Sequence, residues 1–223
     1  MGIKTMGPPA QFIELLRAEF ALDVFVETGT FLGNTAGWAG RRFKRVYTIE
    51  AYRPNYDIAV REHGQAENIR FLHGHSAELL PEVIAEIRTD ALFWLDAHWM
   101  GTGSHGENGE CPLLQELQHI NRSEFPHFIL IDDARLFLAP PPLPHKAEHW
   151  PTIGDVLGEL QKKQRYTIVF EDVIASVPAA ARSAVAGWVQ QETTRQWRAH
   201  PRPASGIVQR LARFMRGVRG ESR

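Results

Sequence analysis

The chain has 223 residues, 43% hydrophobic and 23% charged, with a formal net charge of −1 at pH 7. That describes an ordinary globular protein with length enough for one sizeable core. It excludes an internal disulfide, since Cys111 is the only cysteine, and no apolar run approaches the length of a membrane span. The single thiol suits a reducing compartment, and a cytoplasmic location is expected. The N-terminus shows no signal peptide, and Met6 breaks the myristoylation pattern that would begin at Gly2.

Residues 11–20 carry Phe12, Leu15, Leu16 and Phe20 at helical spacing, which predicts a leading helix. Val24-Phe25-Val26 is a short apolar run of the kind that forms a central strand covered on both faces. It continues into Glu27-Thr28-Gly29-Thr30-Phe31-Leu32-Gly33, where two glycines permit close backbone approach and a helix begins next. Alternation goes on: helix 34–43, strand 46–49, helix 53–63, strand 69–73, helix 77–87, strand 91–95, helix 111–120, strand 128–131 and helix 153–163. Residues 100–109 form a polar, glycine-rich loop, and 139–144 a proline-rich surface excursion. Two β-rich runs, 166–170 and 173–177, split by Glu171-Asp172, read as a hairpin. The pattern predicts a Rossmann-like, doubly wound, mostly parallel seven-stranded sheet closed by an antiparallel C-terminal hairpin. One domain is expected over residues 1–181, followed by a basic helical tail over 182–223.

In such a sheet, ligands bind beyond the carboxyl ends of the strands. Glu27, Glu50, Ser76, Asp96, His98, Asp132 and Asp133 all fall there. Glu50 lies about 20 residues past the first glycine, the interval at which an acid reaches a ribose hydroxyl. Position 31 is Phe, so the G-x-G-x-x-G dinucleotide fingerprint is incomplete, and no Gly-Lys-Ser/Thr P-loop occurs. Asp96, Asp132 and Asp133 leave neighbouring strands, and three carboxylates in one place suit a hard cation such as Mg²⁺. The competing reading is that they cap the following turns. His98 follows Asp96 by two residues and is a candidate general base.

The Glu-x-Gly-x-x-x-Gly run from Glu27 to Gly33 resembles the first motif of class I S-adenosylmethionine (SAM) methyltransferases. Asp96 after one strand and Asp132-Asp133 after the next look like the metal site of the macrocin and novobiocin sugar O-methyltransferase family. That resemblance spans residues 24–177, with identity confined to the strand ends. It implies SAM held across Glu27, Gly29, Gly33 and Glu50, with Ser76 near the adenine. It also implies Mg²⁺ on Asp96, Asp132 and Asp133, and a small-molecule or glycan hydroxyl as acceptor. His98 stands where those relatives are expected to carry an acid. Residues 93–99 with 110–114 also resemble a less characterised group of bacterial methyltransferase-like proteins. The alternatives are a metal-dependent nucleotide-sugar glycosyltransferase and a non-catalytic binding module.

Nine arginines after residue 181 face only Glu192 and Glu221. From Ile207 onward apolar residues recur at helical spacing, with arginines drifting around the other side, which predicts a basic amphipathic helix. Its apolar stripe is expected to pack on its own domain or in a homodimer. An anionic membrane surface ranks second, and nucleic acid last, because few aromatics interleave with the arginines.

Overall fold

The computed structural model describes residues 7–99 and 109–199. The described residues divide into two compact units, with the boundary between Ser183 and Ala184. The first unit contains β1 (Val24–Thr28), β2 (Arg45–Glu50), β3 (Ile69–His73), β4 (Leu92–Leu95), β5 (Phe128–Ile131), β6 (Arg165–Phe170) and β7 (Val173–Pro178). They form one sheet in the order β3-β2-β1-β4-β5-β7-β6, parallel as far as β5 and antiparallel across β7 and β6. The expected architecture is therefore observed.

Burial explains the order. Every residue of β1, β4 and β5 is buried, as continuous apolar runs require when helices cover both faces. The outer strands β3 and β6 are only partly buried, and their sequences mix polar with apolar residues. Helices α1 (Ala10–Glu19), α2 (Asn34–Gly40), α3 (Arg53–His63), α4 (Ser76–Glu86), α5 (Leu113–Arg122), α6 (Arg135–Leu138) and α7 (Ile153–Leu160) connect the strands. Helix α5 buries Leu113, Glu116, Leu117 and Ile120, one face at 3.6-residue spacing. Helix α7 starts on a capping box in which Thr152 and Asp155 satisfy each other's backbone N–H groups. Helix α8 (Arg182–Ala199) runs into the second unit and carries a Glu192–Arg195 pair on its surface.

Three differences from the sequence pattern have local causes. Helix α5 begins at Leu113, two residues late, because Pro112 occupies the N-cap. Helix α7 stops at Leu160, ahead of the polar stretch from Gln161 to Gln164. The short helix α6 was not expected; it forms where the chain turns away from β5 through Asp133, at φ +55°. The greater part of the predicted polar loop, residues 100–108, and the amphipathic helix expected from Ile207 lie outside the described residues. No helix among the described residues is long and apolar enough to cross a membrane.

Register aligns the site. Thr28 pairs with Ile49 on one side and Leu95 on the other, and Leu95 pairs with Ile131. The residues that follow, Gly29, Glu50, Asp96 and Asp132, therefore form one row along a sheet edge. Gly29 is left-handed at φ +84°, and a Cβ there would lie 2.2 Å from the Asp96 carbonyl oxygen. Gly29→Ala is expected to lower the unfolding free energy by about 1–3 kcal/mol, the cost of a strained backbone. The check is the urea midpoint at unchanged m-value; an unmoved midpoint would mean that the loop yields without cost.

Candidate active site

The glycine loop is tied to β2 from both sides. Gly29 and Thr30 donate their N–H groups to the Ile49 carbonyl, at 3.0 and 3.2 Å. Phe31, another left-handed residue at φ +49°, donates its N–H to Glu50 Oε2 at 2.7 Å, and Tyr52 N–H donates to Oε1 at 2.8 Å. Burial raises the Glu50 pKa above the usual carboxylate range, and those two N–H groups hold it partly down. Glu27 lies beneath the loop, fully buried, and its Oε2 accepts from Thr48 Oγ1 at 2.6 Å. Thr48 and Thr30 hydroxyls are 2.5 Å apart, which extends the network into the loop. Burial pushes Glu27 up to about 8 against the Thr48 bond, with the Asp96 charge adding to the rise.

Both glycines have a structural reason. Gly29 accommodates the backbone of Asp96, and a Cβ on Gly33, at φ +83°, would meet His63 and Ala59 of α3. A Cβ on either glycine would therefore meet the protein, and packing by itself accounts for both. What faces outward is the Phe31 side chain, 63% exposed.

A second cluster lies at the ends of β4 and β5. His98, its side chain only 4% exposed, is 2.8 Å from Asp133 Oδ2 through Nε2 and 3.6 Å from Asp96 Oδ1 through Nδ1. The Trp150 ring lies 5.3 Å from the imidazole. Burial alone would lower the His98 pKa; the Asp133 hydrogen bond and the charges of Asp96, Asp133 and Asp132 outweigh it and raise it. Asp96 rises to about 8 through burial, opposed by His98 and reinforced by Asp132 and Asp133. Asp132 rises to about 6 through burial and the Asp133 charge. Asp133 goes the other way, because its bonds to His98 and Arg135 overcome burial.

This arrangement does not show the expected Mg²⁺ site. Both Asp133 oxygens are engaged, one by His98 and one by Arg135 Nη1, and Asp132 Oδ1 accepts the Asp133 N–H. Among the described residues no group of three His, Cys, Asp or Glu side chains is placed to hold a metal ion. Arg135 supplies compensating positive charge, and His98 adds to it when protonated. The donor set does not fit a resident metal.

Two further acids take part that the sequence reading missed. Glu116 of α5 is fully buried with its pKa pushed up to about 7 by burial, against the nearby Ser76 and Thr28 hydroxyls and the His98 charge. Its Oε1 and Thr28 Oγ1 have no hydrogen-bond partner. With His98 and Phe137 it lines a cavity of about 10 Å³, the space of one water. Its signal was present: an acid on the buried face set by Leu113, Leu117 and Ile120 is out of place unless it has work there. Glu110 is the second. Its backbone carbonyl accepts from Trp99 N–H at 2.7 Å, and its carboxylate accepts from Trp150 Nε1 at 2.6 Å and Lys146 N–H at 3.0 Å. Its position at the head of the 110–114 stretch gave a resemblance but no role. Ser76, expected near an adenine, is buried beside Glu116 at the start of α4. Burial lifts the Cys111 thiol to about 12, which leaves it inert.

The residues present fit SAM. Glu50 keeps free lone pairs at the end of β2, at the glycine loop.

No family model matches the sequence, and no curated protein matches it. Solved structures do. A candidate caffeoyl-CoA O-methyltransferase from Staphylococcus aureus superposes with a TM-score of 0.54 at 11% identity, over 78% of this chain and 86% of that one. A candidate O-methyltransferase from Klebsiella pneumoniae gives 0.51 at 15% identity, over 79% and 84%. Cofactor-bound Rv0187 from MTB gives 0.50 at 18% identity, over 79% and 83%. The likeness establishes the fold alone: a Rossmann-like, mostly parallel α/β sheet.

Glu27 yields a pH test. Its pKa is about 8 folded against 4.5 as the reference, so between those values the folded chain holds a proton that the unfolded chain has released. Its contribution to stability therefore falls as pH rises through that window. Glu27→Gln is expected to flatten the stability–pH curve, gaining on the wild type by up to about 1.4 kcal/mol per pH unit between pH 5 and 8. Parallel curves in urea titrations at several pH values would contradict the buried proton.

Proposed function

We propose that the chain is a SAM-dependent methyltransferase that methylates a hydroxyl on a sugar or other small molecule, with His98 taking the acceptor's proton. Fold alone does not carry this. What supports it is one sheet edge that places Glu50 on the glycine loop and His98 between Asp96 and Asp133. When bound, SAM supplies an electrophilic methyl group. Glu50 offers the two ribose hydroxyls its remaining lone pairs while holding the loop through Phe31 N–H. Glu27 acts from below, fixing the loop through Thr48 and Thr30. Ser76, at the start of α4 after β3, would serve the adenine side only through the Glu116 it bonds. Asp133 accepts from His98 and so sets the tautomer and orientation of the ring. Positioning of two reactants then supplies much of the rate.

The direct test is calorimetry with SAM and S-adenosylhomocysteine. Glu50→Ala is expected to weaken binding by about 1.5–3 kcal/mol, the worth of a charged hydrogen bond. Binding of a UDP-sugar in place of SAM would move the reading to glycosyl transfer.

Two expectations follow for turnover on a panel of sugar and small-molecule hydroxyls. His98 must be neutral to accept a proton, and its pKa is raised above 6.5, so the acidic limb of the rate profile should lie above that value. The reading contains no metal step. EDTA treatment should change the rate by less than about twofold, whereas loss of a Lewis acid costs several kcal/mol. Abolition by EDTA and recovery with Mg²⁺ would restore the metal-assisted form of the reaction.

A further inference from the structure

The turn between β6 and β7 is built at a cost. Phe170 pairs with Val173, so the loop has two residues, Glu171 and Asp172, with φ of +49° and +68°. A two-residue hairpin with both central residues left-handed favours Asn-Gly or Asp-Gly. Glycine at position 172 would remove the strain, and an aspartate there pays for its side chain in conformational energy. Local strain of this kind persists where surrounding contacts over-determine it.

The contacts described for Asp172 go to one segment. The Asp172 carbonyl accepts from Ala134 N–H at 2.7 Å, and Asp172 Oδ1 accepts from Arg135 N–H at 2.9 Å. Asp172 Oδ2 pairs with Arg135 Nη1, and the same nitrogen donates to Asp133 Oδ1. Asp133 Oδ2 then meets His98 Nε2 at 2.8 Å. Asp133 is itself left-handed, at φ +55°, and its N–H is held by Asp132 Oδ1. Two strained acids are thus joined through one arginine, and the imidazole stands at the end of the chain.

We propose that Asp172 is a positioning residue for His98, acting through Arg135 and Asp133. The guanidinium is shared between two carboxylates, so Asp172 sets where Arg135 sits and how much of its charge Asp133 receives. With Asp172 in place, Asp133 keeps Oδ2 directed at the imidazole. Without it, Arg135 is free to pair with Asp133 alone, in the bidentate geometry guanidinium favours. Oδ2 is then drawn off His98. The other acids facing the ring, Asp96, Asp132 and Glu116, make no bond to Arg135 and offer no substitute.

The inference deepens the methyl-transfer reading by naming what orients its base, but its test needs neither SAM nor an acceptor. In protein with ¹⁵N-labelled histidine, the Nε2 proton of His98 should give a downfield, slowly exchanging signal at fixed pH. Asp172→Asn keeps the amide oxygen that caps Arg135 N–H and removes only the charge on the guanidinium. It should shift that signal upfield and speed its exchange about tenfold, the scale of one charged hydrogen bond. Arg135→Gln should do the same, and Arg135→Lys should restore part of it. Thermal unfolding confirms that each variant is folded. An unchanged signal in Asp172→Asn would reduce Asp172 to a cap on α6 and overturn the proposal, as would loss of the signal in Arg135→Gln alone. Affinity for S-adenosylhomocysteine, measured in parallel, should stay within about twofold, because Asp172 touches no residue of the glycine loop. If neither SAM nor S-adenosylhomocysteine binds the wild type, methyl transfer fails while the His98 signal still decides the role of Asp172.

Discussion

Carboxylates gathered at one edge of a parallel sheet must be neutralised, and this structure does it largely with its own cations. Asp96, Asp132 and Asp133 leave two adjacent strands a few ångströms from one another, with Glu27 and Glu116 buried beside them. Left ionised together in a low-dielectric setting, they would repel strongly. His98 stands between Asp96 and Asp133, and Arg135 pairs with Asp133. Everything that holds those two side chains is therefore part of the site: the Trp150 ring against the imidazole and the β6–β7 turn behind the guanidinium.

The two fully buried acids are handled by protons. Glu27 and Glu116 are fully buried with raised pKa values, so each holds its proton into the neutral range. A protonated carboxyl costs far less to bury than an ion and gains a donor. Glu27 uses its setting to stitch β1, β2 and the glycine loop together through two threonine hydroxyls. The loop in turn abuts β4, since Gly29 leaves room for the Asp96 backbone. The glycine loop and the His98 cluster in this way share one edge of the sheet.

The strand order, the crossover helices and the closing hairpin were legible in the residues because period and burial agree. Val24, Phe25 and Val26 could only be a covered strand, and α5 announces its buried face by spacing. The set of polar strand ends was legible for the same reason, because parallel topology sends every exit to one edge. Partnership was not. Whether Asp133 turned to a metal, a histidine or an arginine depended on its left-handed backbone, which no neighbouring residue dictates. Glu110 and Asp172 looked like ordinary loop acids, since their partners lie 36 and 37 positions away in the chain.

By itself, then, the sequence determined the class of fold, the edge at which chemistry gathers and the residue types available there. These follow from periodicity and from the chirality of strand–helix–strand connections, which are local or nearly local properties. Only the tertiary structure decided that the glycines serve close packing, that His98 lies between two aspartates, and that a hairpin turn reaches the same cluster through Arg135. The reason is physical: hydrogen-bond and ion-pair strength depends on distance and burial, and those are set by how distant segments pack.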